Sequence, residues 1–446
     1  MENKKFIIDK QTLEDLNILG RYKPGSIFSL FLELQTRGGE RYLEQIFNDP
    51  MTDAKSINAR AEQFEYFKGV EAQFPVPDEM FQATEEYLSN AEGAGLVVAM
   101  INGLRRKVLE LVARDKEFGI LTEGMRQTMQ AIVKIREFVN LLKNKDNGGA
   151  CRDLVEAADK IVNGPDMKWL TAQNASGKLG LFSTLMFDYR LRHKCIEQMQ
   201  NLIKLMYKFD VMLCVGAIAR RRGFTKAIAL EGDNHILKME GVYHPSLKKA
   251  IANDILIDRE KNVFFLTGAN MAGKSTLMKS IGVATYMAHL GLPVAASKME
   301  FAPIDGMFSS INVSDNMNMG YSHFYAEVVR VKTVAETVAK GHRLLVIFDE
   351  LFKGTNVKDA FDATIAVTLG FAKYQRCSFI ISTHITEAGH DLADKLNNIQ
   401  YHYVPTVMEG SIPRYTYKLT DGITNDRHGM MIIQNERIIE TIRNEH

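Results

Sequence analysis

A glycine-rich stretch between an apolar run and a helical pattern carries the residues best suited to chemistry. Gly268 and Gly273 enclose four residues and are followed at once by Lys274 and Ser275, in the order G-x-x-x-x-G-K-S. Glycines at these positions let backbone N–H groups turn toward phosphate oxygens, and a helix that begins here directs its positive end at the same anion. The spacing predicts a phosphate loop for a nucleoside triphosphate.

The residues of this loop have distinct expected roles. Lys274 is expected to reach the β- and γ-phosphates of ATP, and the Ser275 hydroxyl is expected to ligate Mg²⁺. The other expected nucleotide contacts are Gly268, Asn270, Met271, Ala272, Gly273 and Thr276. The motif alone is moderately specific, and the alternative is a glycine-rich turn without a ligand. Its place after the apolar run NVFFL and before the helical pattern TLMKSIGVATYMAHL favours the phosphate loop.

Two adjacent carboxylates follow a second apolar run, LLVIFDE, at residues 344–350. Asp349 is expected to hold Mg²⁺, usually through water, and Glu350 to orient and deprotonate the attacking water. The alternative is a buried strand that ends in a polar turn. A phosphate loop upstream favours the catalytic interpretation.

A histidine follows a third apolar run, in the stretch CSFIISTH at residues 377–384. At the end of a strand of the same sheet, His384 is placed to sense the γ-phosphate. A structural histidine is the alternative.

Length and composition set limits on the protein. The chain has 446 residues, a formal net charge of +1 and four cysteines without metal-binding spacing. This length predicts two or three domains, and the neutral charge restricts any nucleic-acid contact to a local surface. Cysteines with this pattern are typical of reduced thiols in the cytoplasm, and neither a signal peptide nor a membrane span is expected.

Helical patterns fill the first half, and alternating strands and helices fill the second. Apolar residues recur at helical spacing, as at Leu104, Val108, Leu111 and Val112, and again at Met125, Met129, Ile132, Ile135 and Val139. A longer pattern runs from about residue 183 to a stop signal at Gly223. We predict an all-helical domain at residues 1–224 and an α/β domain with a mostly parallel sheet at 225–446.

These motifs together resemble the MutS family of ATPases, which belong to the ABC-type superfamily. TGANMAGKST, LLVIFDELFKGT and ISTHITEA resemble the family's phosphate loop, strand with carboxylates and switch histidine, and INVSDNMNMGYSHFYAEV resembles its signature loop. In the first half, IIDKQTLEDLNIL resembles the start of the family's core domain and KFDVMLCVGAIARRRG the end of its lever.

The resemblance implies an ATP-dependent homodimer. Ser322 matches the signature serine, which contacts the γ-phosphate bound by the other subunit, while Glu327 matches the acid of that motif and Asp359 the D-loop carboxylate. The implied fold is a helical core and lever domain followed by an ABC-type ATPase domain. The implied target is DNA, in repair or recombination.

The chain also departs from the family pattern. It starts at the core, so we expect no mismatch-reading or connector domain, no full clamp and no helix-turn-helix dimer anchor; a protein partner could supply missing domains. Ala250 stands where many members place an adenine-stacking aromatic residue, and His323 and Arg427 replace the usual types. Mismatch reading by this chain alone is therefore not expected.

Two basic clusters, at residues 105–107 and 220–222, are the candidates for contact with DNA phosphates. The simpler interpretation is a solvated helix face or a helix C-terminus. Two other functions remain open: an ATP-gated factor that acts on a protein or ribonucleoprotein, and a scaffold that binds ATP and scarcely hydrolyses it. A membrane-transporter ATPase is the least favoured, because no LSGGQ-type signature is present.

Overall fold

The computed structural model describes residues 5–20, 25–89, 95–113, 116–145, 149–177, 179–268, 272–311, 323–409, 412–424 and 441–442. The chain divides into two compact units. The first consists of Met1–Leu30, Phe47–Ala61 and Arg221–His446, and the second of Phe31–Ile46 and Glu62–Arg220. The domain boundary at residues 224/225 stays a prediction. The first unit also takes in two N-terminal segments that the predicted domains assign to the helical half.

The bounds of the helices in the described residues are as follows. They are α1 Lys10–Asp15, α2 Arg37–Phe47, α3 Ala54–Gly69, α4 Asp78–Ser89, α5 Leu96–Ala113, α6 Glu117–Lys145, α7 Arg152–Val162, α8 Ala172–Ser176, α9 Leu181–Tyr189, α10 Ile196–Arg222, α11 Lys274–His289, α12 His323–Ala339, α13 Val357–Ala372 and α14 Thr386–Ala393. Short 3₁₀ turns occupy Phe28–Phe31 and Pro165–Met167, and one π-helical turn occupies Arg190–Lys194.

The strands all lie in the first unit, within the described residues. They are β1 Ala227–Ala229, β2 Ile236–Val242, β3 Asn253–Asp258, β4 Val263–Thr267, β5 Lys298–Phe301, β6 Gly306–Ser310, β7 Leu344–Asp349, β8 Ser378–Ser382, β9 Ile399–Tyr403, β10 Thr406–Glu409, β11 Ile412–Tyr415 and β12 Thr420–Asp421. The strands expected at the apolar runs NVFFL, LLVIFDE and CSFIISTH are confirmed as β4, β7 and β8.

A six-stranded sheet forms the centre of the first unit, in the order β12-β9-β4-β8-β7-β6. Only the edge pair β12–β9 is antiparallel, so the predicted mostly parallel sheet is confirmed. All residues of β4 and β8 are buried, as expected for inner strands of a parallel sheet covered on both faces. The parallel register brings the carboxyl ends of β4, β7 and β8 side by side.

Two smaller sheets complete the strands of this unit. One has the order β1-β5-β2-β3, and the other is the hairpin β10-β11. The exposed alternate residues of β3 leave one of its faces open, as its burial pattern shows. The segment between β2 and β3 forms one wall of a cavity beside Gly273.

The second unit is helical in its described residues, as predicted. The apolar face of α6 is fully inward, since Met125, Met129, Ile132, Ile135 and Val139 are all buried. The Arg136 guanidinium on the same helix donates to the carbonyl oxygens of Val162, Met167 and Leu170 at 2.6–3.0 Å, which fastens the end of α7. Such charge-assisted bonds satisfy carbonyls that a helix end leaves without partners.

The long pattern before Gly223 is not one helix. It consists of α9, the π-helical turn and α10, which ends at Arg222 next to Gly223 with a φ of +69°. The positive φ confirms the expected stop, because glycine adopts this conformation without a steric penalty.

The apolar face predicted at Leu104, Val108, Leu111 and Val112 is present on α5, but it faces outward. Leu104 and Val108 are about half exposed, and Leu111 and Val112 are 73% and 80% exposed. The helical spacing of apolar residues therefore predicted that a helix forms here, but it did not predict whether the apolar face is buried. All four cysteines are described and buried, and none of them forms a disulfide bond. Within the described ranges, no helix combines the length and apolarity that crossing a membrane requires.

Candidate functional site

Three strand ends of the six-stranded sheet bring the predicted residues together. Ser382 at the end of β8 is the register partner of Leu266 in β4 on one side and of Asp349 in β7 on the other. Gly268 follows β4, Glu350 follows β7, and His384 follows β8 by two residues. The carboxyl edge of a parallel sheet is the usual position of ligand sites in open α/β folds.

Backbone conformation explains the two glycines of the predicted phosphate loop. Gly268 has a φ of +142° and Gly273 a φ of +98°, both in a region that side chains disfavour. Gly273 is the residue before α11, which begins at Lys274. The first N–H groups of an α-helix have no partner within it, so those of α11 are suited to bind an anion.

Lys274 is almost fully buried, with 4% of its surface exposed. Its Nζ donates to the Gly268 carbonyl oxygen at 2.7 Å and lies 3.9 Å from Oε1 of Glu350. Burial lowers the pKa of Lys274, and the nearby charges of Glu350 and Asp349 counteract that shift. A buried ammonium at this position is suited to bind a polyanion.

Asp349 accepts hydrogen bonds from two hydroxyls on neighbouring elements. Ser275 on α11 donates to Oδ2, and Ser382 on β8 donates to Oδ1 at 2.5 Å. The hydroxyl and carboxylate predicted to hold Mg²⁺ are therefore in direct contact. Oxygen ligands of this kind, with phosphate and water for the rest of the shell, are those Mg²⁺ prefers, so the residues fit the ion.

Glu350 has a strained backbone and three basic neighbours. Its φ is +53°, and its N–H donates to the Ser382 carbonyl oxygen at 3.0 Å. The carboxylate lies 3.9 Å from Lys274, from Lys353 and from Nδ1 of His384. A non-glycine residue in the left-handed region is uncommon and concentrates at functional sites. The carboxylate is thus close to several donors and tightly bonded to none of these three.

Most of the predicted site residues fall into this cluster. Lys274, Ser275, Asp349, Glu350 and His384 lie together, with Gly268, Ala272, Gly273 and Thr276 in the adjoining segment. Asn270, Met271 and Ser322 lie outside the described residues, as does Arg427. The catalytic and ligand roles assigned to all these residues remain predictions.

The two acidic residues expected near the signature and D-loop motifs differ in environment. Glu327 on α12 is buried, with 2% of its surface exposed. Asp359 is exposed in the first turn of α13, where its N–H donates to Oδ1 of the capping residue Asn356 at 2.9 Å. Asp359 thus has a local structural role as well as its predicted one.

A cavity of about 300 Å³ adjoins the loop on the side of Gly273 and Thr276. Its lining includes His244, Ala250, Ile251, Leu277 and Tyr417. The Tyr417 ring packs against the loop so closely that a Cβ on Gly273 would lie 2.8 Å from its Cδ1. An aromatic ring therefore borders the cavity although Ala250, at the position expected to stack, has none.

Sequence reasoning missed Tyr417 and the residue that holds it. The side chain of Asn253, 3% exposed, donates to the Tyr417 carbonyl oxygen at 3.0 Å and accepts from the Leu419 N–H at 2.7 Å. Tyr417 has a φ of +55°, which again marks an over-determined local conformation. The two residues are 164 positions apart, and no local pattern links them.

Comparison with known proteins shows that this chain is similar to MutS proteins. Residues 264–445 match the family model of MutS domain V. The chain is 24% identical over 331 residues to the DNA mismatch repair protein MutS of Bacillus mycoides, a match covering 73% of this chain and 34% of that protein. It is 25% identical over 323 residues to MutS of Bacillus cereus strain ZK / E33L, covering 71% of this chain and 33% of the relative.

The chain therefore spans about a third of the length of the curated relatives it matches. The matched model begins in β4, just before Gly268, and so takes in the whole cluster around Lys274 and Glu350. The expected resemblance to the MutS family is thereby confirmed, with residues 264–445 similar to MutS domain V.

Proposed function

We propose that this protein is an ATP-hydrolysing, MutS-related factor that works in the cytoplasm as an ATP-dependent homodimer. The observation that carries the proposal is the convergence of Lys274, Ser275, Asp349, Glu350 and His384 at one edge of the parallel sheet. An ammonium, an Mg²⁺ ligand pair and a carboxylate that can act as a base are the parts that phosphoryl transfer to water requires. The first unit then acts as an ABC-type P-loop ATPase domain.

The residues of this chain divide the work as follows. Lys274 and the loop N–H groups bind and orient the phosphates, while Ser275 and Asp349 hold Mg²⁺. When bound, ATP would supply the electrophilic γ-phosphorus, and Mg²⁺ would neutralise negative charge on the phosphate oxygens. Glu350 accepts a proton from the attacking water, and His384 donates a hydrogen bond toward the γ-phosphate. The cavity bordered by Tyr417 receives the base.

In this proposal each site is completed by the partner subunit. Ser322 of one chain contacts the γ-phosphate bound by the other, so two nucleotides close the dimer and hydrolysis opens it. The relation to MutS supports this arrangement. Opening and closing would then change the angle of the helical elements and transmit the ATP cycle to a target.

DNA is the proposed target, in repair or recombination, because the relatives are named as DNA mismatch repair proteins. ATP turnover should be measured with and without duplex, mismatched and branched DNA at physiological ionic strength. Stimulation by one DNA structure would support the proposal and identify the substrate. Robust turnover indifferent to every DNA would contradict it.

A second candidate is an ATP-gated factor that acts on a protein or ribonucleoprotein. It is favoured by the state of the basic cluster on α5, where Arg106 lies 3.7 Å from Glu117 and Lys107 lies 2.5 Å from Glu110. Side chains already paired on their own surface have less charge to offer to DNA phosphates. Turnover that is stimulated by a ribosome or protein fraction and not by DNA would support this candidate.

A further inference from the structure

One face of α5 in the second unit presents a regular row of apolar side chains to water. We call it the α5 seam; its members, between 50% and 73% exposed, are Val97, Ile101, Leu104, Val108 and Leu111. They recur at alternating spacings of four and three residues, which is the a/d repeat of a coiled coil. A strict a/d stripe is narrower than the face by which a helix usually packs into a globular core. The spacing therefore indicates pairing with another helix.

The opposite face of α5 is fixed against its own unit. Ala99 and Gly103 are its buried residues, and a Cβ on Gly103 would collide with the Leu185 side chain of α9. Near the other end of the helix, Nε of Arg106 lies 3.7 Å from the Glu117 carboxylate of α6. The helix and the direction of the seam are therefore formed before any partner binds, which lowers the entropic cost of association.

The exposed apolar area is large enough for a dimer. Val98 and Val112 flank the seam and are also more than half exposed, so that together the seven side chains leave roughly 500 Å² of apolar surface in water. Monomeric proteins seldom expose one patch larger than this. Two such faces in contact would bury about 1,000 Å² in total, the lower bound of a specific interface. We therefore expect an affinity in about the micromolar range.

The residue types of the seam favour two parallel strands. Position a is occupied by the β-branched residues Ile101 and Val108, and position d of the same heptads by Leu104 and Leu111. This distribution is the one that selects parallel dimers over trimers and tetramers. A parallel pair is also self-complementary, because each position meets the same position of the other helix. A second copy of this chain therefore carries the matching surface.

Charge favours the parallel orientation as well. Arg105 is exposed at position e, beside the seam. In an antiparallel pair centred on Leu104, the two Arg105 guanidinium groups would lie next to each other and repel. In a parallel pair, position e of one helix lies next to position g of the other, so Arg105 meets Met100. The aliphatic stem of an arginine can cover such a neighbour while its charge stays in water.

We propose that the α5 seam is a contact between two copies of this chain, which pair there as a parallel two-stranded coiled coil. The contact needs no nucleotide, because all its residues lie in the second unit and none belongs to the predicted ATP site. The inference thus goes beyond the proposed function, in which ATP closes the dimer. Two copies joined at α5 stay together when hydrolysis opens the nucleotide-bound contact.

Sedimentation of the full chain without nucleotide tests the contact. Over about 1–100 µM protein, the wild type should pass from monomer to dimer. Leu104→Glu should stay monomeric over the same range, because it places two like charges at the centre of the seam. Leu109→Glu is the matched control: it makes the same change on the same helix, at position b outside the seam, where Leu109 is 37% exposed. This control should dimerise as the wild type does.

Disulfide cross-linking tests the orientation. All four native cysteines are buried, so mild oxidation by oxidised glutathione should act on an introduced surface thiol. In a parallel pair residue 97 of one copy lies beside residue 97 of the other, and Val97→Cys alone should form a covalent dimer. An antiparallel pair instead places residue 97 beside residue 111. Cross-linking only in a mixture of Val97→Cys with Leu111→Cys would contradict the parallel coiled coil.

Three results would overturn the inference. The wild type could remain monomeric without nucleotide, or Leu104→Glu and Leu109→Glu could behave alike. A monomeric wild type could also bind vesicles of phosphatidylcholine and phosphatidylserine, with loss of binding in Leu104→Glu, and the face would then be a lipid contact. Leu111→Glu, at a residue 73% exposed, is a second seam variant in case Leu104→Glu has a lowered unfolding temperature. None of these results depends on ATP hydrolysis, so the proposed function is tested separately.

Discussion

The ammonium of Lys274 and the carboxylate of Glu350 lie 3.9 Å apart at the carboxyl edge of the six-stranded sheet. Lys274 begins α11, and Glu350 follows β7, so two separate elements bring the charges together. A phosphate group would compete with Glu350 and with the Gly268 carbonyl oxygen for the same ammonium. We expect ATP binding to draw Lys274 away and leave Glu350 free to accept a proton from water.

The contact between Asp349 and Ser275 predicts a defect in Mg²⁺ use. Asp349→Asn keeps the shape of the side chain but removes the charge that attracts the ion. The Mg²⁺ concentration for half-maximal turnover should rise about tenfold or more. Ser382→Ala, which removes only one hydrogen bond to Asp349, should raise it less. An unchanged Mg²⁺ dependence in Asp349→Asn would show that this carboxylate does not hold the metal.

The position of Tyr417 beside Gly273 predicts a contribution to nucleotide affinity. Tyr417→Ala should weaken ATP binding about tenfold, the effect of losing one aromatic–base stack. Tyr417→Phe keeps the ring and should bind as the wild type does. Inorganic triphosphate is the control ligand, because it has no base and should bind both variants equally. If Tyr417→Ala weakened both ligands alike, the ring would be supporting the loop and not the base.

His289 at the end of α11 predicts a dependence of stability on pH. It is fully buried, its Nδ1 lies 2.8 Å from the Thr285 carbonyl oxygen, and its Nε2 accepts from the Ile304 N–H at 3.1 Å. Burial lowers its pKa to about 4, so the folded state stays neutral at pH values where the unfolded chain, with a pKa of 6.5, takes up a proton. Stability is therefore lost as the pH falls from about 6.5 toward about 4.

Because of His289 alone, the free energy of unfolding should be about 2 kcal/mol lower at pH 5 than at pH 7. Denaturant unfolding at the two pH values measures the loss. In His289→Leu the protein should be less stable at pH 7, and the difference between the two pH values should shrink. A variant with the same pH dependence as the wild type would rule out His289 as the source.

The close approach of Gly216 on α10 to the backbone of Phe67 on α3 predicts that one added methyl group lowers stability. A Cβ on Gly216 of α10 would lie 2.6 Å from the carbonyl carbon and oxygen of Phe67. Gly216→Ala should therefore destabilise the protein by about 2 kcal/mol, as overpacking against backbone does. Gly69, at the end of α3, has open space around the same position. Gly69→Ala should cost nothing, and equal losses in the two variants would contradict the packing argument.

The parts of the site that the sequence predicts are those whose residues are local. The apolar runs before Gly268, Asp349 and His384 identified three inner strands, and parallel strands necessarily align their carboxyl ends. Tyr417, Asn253 and the bonds between Asp9 and Arg330 escaped prediction because their partners are more than 100 residues away. No periodicity encodes such pairs.

Whether the apolar face of a helix is buried or exposed could not be predicted from the sequence either. The same apolar spacing produces a buried face on α6 and an exposed one on α5. Helical spacing fixes which residues share a face, but the contacts of that face depend on elements far along the chain. The π-helical turn at Arg190–Lys194 likewise interrupts a pattern that is continuous in the sequence.

Phosphate release by the wild type and by Glu350→Gln, in Mg²⁺ and saturating ATP, decides whether Glu350 activates the attacking water. The two proteins should bind ATP equally, because Glu350 is not a phosphate ligand. We expect measurable turnover by the wild type and a loss of about 10²–10⁴-fold in the variant, which is the contribution of a positioned general base. Equal turnover by the two proteins would show that Glu350 is not the base that activates water.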